Sequence, residues 1–301
     1  MTRARHKTLR ISSGDRAFYA FTYAFLSAVF IVVLYPLVFV VSSSFSSPEA
    51  MVTGKVVLWP VDFSLDGYKA IFGYRDVLIG YYNSLRYMVF GVIFNVSMTM
   101  MAAYALSRRE TPFRNAFMFL FTFTMFFGGG LIPNYIVVMK LNMIDTLWAM
   151  IVPGAISVYN MILARTFLQN SIPHELLEAA RIDRCSDVRF FFQIVLPLSK
   201  AVIAVIALYY AVGHWNAFFN AYLYLNKRYL YPLQLILREI LVKNTIDPKM
   251  SINQELMVKK QGIADLLKYS LIVVASAPMM MLYPLAQKYF ISGVMIGSLK
   301  G

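Results

Sequence analysis

The residues Glu178-Ala179-Ala180-Arg181-Ile182-Asp183, closed by Ile194-Val195-Leu196-Pro197, form a short polar helical segment between two long apolar runs. Upstream, Ser171-Ile172-Pro173-His174-Glu175 sets a small polar cap, a proline in the first turn and an early carboxylate, which mark a helix N-terminus. Leu176, Ala179, Ala180 and Asp183 then follow one face at helical spacing, with Leu177 and Ile182 beside it. The two alanines leave that face shallow, and Glu178 and Arg181 border it, as suits a helix lying in another protein's groove. An ordinary surface helix with solvated charges is the other reading of these residues alone.

Composition decides the setting. The chain has 301 residues, 59% of them hydrophobic and 14% charged, with a mean hydropathy of +0.61, outside the usual range of soluble domains. One crossing of a bilayer takes roughly 20 apolar residues, and runs of that size occur at about 18–41, 81–106, 115–139, 147–168, 201–225 and 269–290. The predicted fold is therefore an all-α membrane protein with six transmembrane helices. Arg86 and Arg165 lie near the ends of their runs, where a long basic side chain reaches the interface.

Basic residues beside the spans set the orientation. Arg3, Arg5, Lys7, Arg10 and Arg16 precede the first run, Arg108, Arg109 and Arg114 follow the second, and Arg181, Arg184 and Arg189 follow the fourth. Alternation of six helices puts these on one side, so both termini and the segment 169–200 are expected in the cytoplasm. Residues 1–17 read as a basic arm, flexible or lying on anionic lipid, and 18–301 as a single membrane domain. Residues 42–80 and 226–268 are then outer connections. The first run is too long for a typical signal-peptide core, and five more follow it, so it is read as an uncleaved helix.

Chemistry is sparse. Cys185 is the only cysteine and His6, His174 and His214 are scattered, so no metal site is expected. The one Gly-Lys pair, Gly54-Lys55, is followed by Val56 rather than Ser or Thr, so no phosphate-binding loop is present and the chain does not hydrolyse ATP. The runs hold hardly any acidic residue, which argues against a carrier driven by an ion gradient. Coupling energy must come from a partner at the polar segment. A membrane scaffold with no pathway is the remaining class.

The spacing Glu-Ala-Ala, three residues, a usual Gly, nine residues and Ile-x-Leu-Pro resembles the coupling motif of membrane subunits of binding-protein-dependent ATP-binding-cassette importers. It reads here as Glu178-Ala179-Ala180, Arg184 in the glycine position, and Ile194-Val195-Leu196-Pro197. Phe127-Gly128-Gly129-Gly130-Leu131-Ile132-Pro133, Gly213-His214-Trp215-Asn216 and the tail ending Leu299-Lys300-Gly301 are similar to the carbohydrate-importing branch. The resemblance covers nearly the whole chain. It implies a type I importer of the bacterial inner membrane: two membrane subunits, here a heterodimer, two ATPase subunits that hold ATP and Mg, and an extracytoplasmic binding protein that delivers a sugar or oligosaccharide. The chain itself needs no cofactor, and membrane lipid rather than nucleic acid is its remaining partner.

By the resemblance, Glu178, Ala179, Ala180, Asp183 and Arg184 belong to the coupling helix, and the tail with Gly297 and Lys300 reaches toward the ATPase. A glycine at 184 would favour a left-handed turn, so Arg184 implies either strain or a different turn. In the third run Gly128, Gly129, Gly130 and Pro133 should loosen or break the helix. That makes Asn134 and Tyr135 candidate pathway residues, close packing through the small residues being the other reading. Trp215, Asn216 and Asn220, with Asn160 in the fourth run, suit sugar hydroxyls and ring faces, although interfacial belts also favour aromatic residues. The methionines at 98, 100, 101 and 279–281 read as adaptable packing. The loop 226–268 has a positive balance, which would attract an acidic binding protein or an acidic oligosaccharide of the alginate or pectin type; solvated charge is the alternative.

Overall fold

The computed structural model of the chain describes residues 12–243 and 254–298. Among these the regular elements are helical throughout. The chain divides into two compact units, Met1–Ile71 with Ile246–Val273, and Phe72–Thr245 with Val274–Gly301.

The first unit opens with α1 (Ser13–Ser44), whose N-terminus is closed by a capping box between Ser12 and Asp15. Phe18, Phe21, Phe30 and Val32 are each more than 60% exposed, so the rest of the chain leaves this apolar helix largely uncovered. Only its last residues, Ser42, Ser43 and Ser44, are buried. There Ser42 Oγ donates to the Leu58 carbonyl at 2.6 Å, and Ser44 Oγ and the Tyr68 hydroxyl lie 2.8 Å apart. Short helices α2 (Pro48–Val52) and α3 (Asp66–Gly73) follow.

The second unit is organised on α4 (Arg75–Ser107), a continuous helix of 33 residues. Its successors are α5 (Arg114–Phe126), α6 (Leu131–Lys140), α7 (Leu147–Ile151), α8 (Val158–Ser171), α9 (His174–Ile182) and α10 (Asp187–Phe190). After a π-helical stretch, Phe191–Val195, come α11 (Leu196–Leu198), α12 (Lys200–Trp215), α13 (Phe218–Tyr224), α14 (Leu233–Lys243) and α15 (Gln254–Ser298), the last contributing to both units. Against α4 pack α8, α12 and α14. Small residues permit this closeness: a Cβ on Gly91 would collide with the His214 ring, and one on Gly80 would meet the Leu233 backbone at 3.1 Å. One apolar core joins Met100 and Leu106 of α4, Met161 and Leu168 of α8, and Ile206 of α12 to Leu177 and Ala180 of α9.

Three described helices are long and apolar enough to cross a membrane, and the number reaches six when each of three bent pairs counts as one span. That matches the all-α reading with six transmembrane helices, but three of the six runs are not straight. The third breaks at its glycines, where α5 and α6 meet at 115° and Gly130 adopts φ 85°. In the fourth, α7 and α8 bend by 55° around the 3-10 turn Val152–Gly154, whose Pro153 cannot donate to a helical ladder. The fifth run, expected continuous over 201–225, stops at Trp215 and restarts as α13. Just before it the chain turns by 82° between Leu198 and Lys200. The π-helical stretch precedes that corner because Pro197 has no N–H and its ring collides with the carbonyl four residues back.

Candidate functional site

The polar segment folds as α9, nine residues beginning at His174 with Pro173 at its N-terminal boundary. Ser171, expected as the cap, is instead the last residue of α8. Ile172, preceding a proline, is held extended (φ −116°, ψ 98°), so the break falls there. Glu175 in the first turn and Arg181 in the last each complement the helix dipole.

The face expected from spacing is split. Leu177 and Ala180, one turn apart, are buried in the common core. Ala179 is exposed, as are Leu176 at 41% and Ile182 at 83%. The two adjacent alanines therefore point in different directions: Ala180 seats the helix, and Ala179 faces out with Glu175 and Ile182 around it.

The turn after α9 settles the question raised by Arg184. Its φ is 55°, in the left-handed region. The Cys185 N–H donates to the Ala180 carbonyl at 2.9 Å and the Arg184 N–H to the Arg181 carbonyl at 3.0 Å. This pair of bonds is the Schellman pattern. The glycine-type turn is kept with arginine in it, at a cost of roughly 1–2 kcal/mol.

A charged network joins α9 to the loop after α4. Glu110 Oε1 lies 3.2 Å from Arg181 Nη1 and 3.3 Å from His174 Nε2, and its Oε2 lies 3.3 Å from Arg108 Nε. His174 Nδ1 is 3.1 Å from Glu178 Oε1. Arg108 Nη1 donates to Asp187 Oδ1 at 2.7 Å and to the Tyr104 hydroxyl at 2.6 Å. Partial burial pushes the Glu110 carboxyl up, but Arg108, Arg181 and the His174 hydrogen bond outweigh it and hold it below its ordinary value. Beside this network opens a cleft of about 440 Å³ with an apolar floor at Leu168, Leu177 and Phe190 and a rim at Arg109, Arg114 and Asn170.

A second cleft, about 420 Å³, lies between α4, α8, α12 and α13. Asn95, Ser157, Tyr159, Asn160, Tyr209, Tyr210, His214 and Asn220 line it. Asn95 Nδ2 donates to the Gly154 carbonyl and to His214 Nε2, each at 3.1 Å, leaving its Oδ1 buried with no partner. The Ser157 N–H donates to the Tyr210 hydroxyl at 2.8 Å, and Thr99 Oγ1 lies 2.6 Å from the same oxygen. Asn160 is 4% exposed. Amides, phenols and an imidazole around one cleft offer both donors and acceptors to a polyhydroxylated ligand.

Of the pathway candidates, Asn160 and Asn220 meet in this cleft. Trp215 is placed in the core at 1% exposure: its Nε1–H donates to the Ala275 carbonyl at 2.9 Å and its ring meets Tyr81 edge-on. Asn216 turns its amide back to the Val212 carbonyl at 3.0 Å, closing α12. Asn134 is exposed on α6, and Tyr135 stacks on Tyr224. Gly297 falls within α15, and Lys300 lies outside the described residues. Sequence reading missed Glu110, Asn95, Tyr159 and Tyr210. The loop charge is partly neutralised, since Arg228 pairs with Asp76 at 2.8 Å and Glu239 at 3.0 Å.

Residues 78–296 match the family described as binding-protein-dependent transport system inner membrane component. The chain belongs to that family. Its members are membrane components, so this is a permease subunit working with a binding protein, an ATPase in a separate chain and a second permease. The chain is 40% identical over 292 residues, 95% of this chain and 99% of the other, to the polygalacturonan/rhamnogalacturonan transport system permease protein YtcP of Bacillus subtilis strain 168. Protein LplC of the same strain is 37% identical over 98% of each chain. The fold is similar to a chain in the crystal structure of a bacterial ABC transporter involved in the import of the acidic polysaccharide alginate, with a TM-score of 0.84 and 30% identity over 94% of this chain and 100% of that one.

Proposed function

We propose that this permease forms half of the pathway of an ATP-driven importer for an acidic oligosaccharide. The observation that carries the reading is the pair of similarities above, both nearly full-length: one relative carries polygalacturonan and rhamnogalacturonan in its name, and one structural neighbour serves alginate import. All three are uronate-bearing polymers. The net charge of +13 favours approach of anionic sugars and of an acidic delivery protein.

In this reading α9 is the coupling helix. Glu178, Ala179, Asp183 and Arg184 meet an ATPase groove, Ala180 anchors the helix to the spans, and the tail with Gly297 and Lys300 approaches the same partner. ATP and Mg belong to that partner, whose two copies serve this subunit and a second, different permease. Both termini, the arm 1–17 and the segment 169–200 are cytoplasmic, while 42–80 and 226–268 face the binding protein. The sugar passes the cleft of Asn95, Asn160 and Asn220, where amide groups suit sugar hydroxyls.

Uptake of labelled oligogalacturonate by cells expressing the importer, competed by unlabelled sugars, tests the substrate. Acidic oligosaccharides should compete and neutral ones of equal length should not. Equal competition by both would contradict the acidic assignment.

A further inference from the structure

Glu110 stands three residues beyond the end of α4 and is the point where that helix meets α9 electrostatically. Two of its contacts, His174 in the first turn of α9 and Arg181 in the last, are seven residues apart, two turns along one flank. Both converge on the same oxygen, Oε1. The other oxygen takes Arg108, whose guanidinium also holds Asp187 at the start of α10. A single carboxylate thus spans the length of α9 and, through Arg108, reaches the element that follows it.

The apolar seat of α9 is narrow. Only Leu177 and Ala180 are buried, and one of them is a methyl group. Two side chains on one line fix how deep the helix lies but resist rolling about its axis only weakly, the core contacts of Ile172 and Cys185 lying beyond its two ends. The flank held by Glu110 stands a quarter turn from that line, where it resists rolling. Each pair is 39–48% exposed across Glu110, His174 and Arg181, so each alone adds little to global stability. Its effect is on orientation.

We infer that Glu110 is a positioning residue for coupling: it holds the roll of α9 relative to α4, so that force applied to the exposed face reaches the spans. This rests on the reading of α9 as the ATPase-docking helix. Removing the carboxylate should leave the ATPase bound while the motion it drives is partly lost.

The test uses the intact complex, purified from its host through a tag on this chain and reconstituted in proteoliposomes with its binding protein. ATP hydrolysis and uptake of labelled oligogalacturonate are measured together. For Glu110→Gln, which keeps size and loses charge, the sugar carried per ATP should fall about fivefold, with ATPase content unchanged. The conservative variant Glu110→Asp, which keeps the negative charge facing Arg108, His174 and Arg181, should retain at least half of the wild-type sugar per ATP. Unchanged sugar per ATP in Glu110→Gln, or uptake and hydrolysis falling in parallel with ATPase content, would overturn the inference. Wild-type complex that hydrolyses ATP without carrying the sugar would contradict the transport reading instead, so the two failures are distinct.

Discussion

The Cys185 N–H reaches back 2.9 Å to the Ala180 carbonyl, across a corner where Arg184 holds a left-handed φ of 55°. The helix terminus is therefore ordered by hydrogen bonds, and the unusual residue sits within a preserved geometry. Arg184→Gly should stabilise the protein by about 0.5–1 kcal/mol, strain relief being offset in part by the greater freedom of glycine when unfolded. Arg184→Val should destabilise it. Slower hydrogen exchange at the Cys185 amide in the glycine variant checks this, and faster exchange would mean that the arginine side chain stabilises the turn.

The adjacent alanines should behave oppositely. Ala180 is 7% exposed in the core, so Ala180→Leu overpacks it and should cost about 1–3 kcal/mol, read as a lower melting temperature. Ala179 faces outward, and Ala179→Asp should leave melting unchanged while the ATPase no longer copurifies. A shared phenotype would contradict the split face.

How much of this was legible in the residues depended on range. Apolar runs announced the spans, and Gly128 to Gly130 announced the break before α6, because both signals are local. The break at Asn216 carries a weaker mark, a lone Gly213 in the turn before it, and the bend near Pro153 rests on a single proline inside an apolar run. Spacing alone leaves the orientation of α9 open, because alanine contributes so little hydrophobic signal that two registers fit the same residues. Glu110 was invisible for a different reason. Its α9 partners lie 64 and 71 residues away, and only the tertiary fold brings a loop carboxylate to both.

Asp145 gives the fold a dependence on acid. Partial burial pushes its carboxyl up, but the Asn226 and Lys227 amides hydrogen-bonded to it outweigh this and hold it below the ordinary aspartate value of 3.8. A depressed carboxylate contributes stability that is present above its unfolded value and is lost as pH falls through the folded one. The melting temperature in detergent should therefore decline as pH drops below about 4, and Asp145→Asn should flatten that decline. An unchanged slope in the variant would assign the acid sensitivity elsewhere.

The cleft of α4, α8, α12 and α13 separates the pathway candidates. Asn160→Leu, within it, should reduce uptake about tenfold through a lost ligand hydrogen bond, with basal ATP hydrolysis retained. Asn134→Leu and Asn216→Leu, outside it, should transport as wild type does. Equal losses at all three positions would mean that the cleft is not the contact.

The central claim is that ATP hydrolysed by a separate subunit drives sugar through this chain by way of α9. ATP-dependent accumulation of labelled oligogalacturonate in proteoliposomes, compared between wild-type complex and Ala179→Asp, tests it most directly. The account predicts uptake that requires ATP and the binding protein and disappears in Ala179→Asp. Uptake under an ion gradient without ATP, or undiminished ATP-driven uptake in that variant, would contradict it.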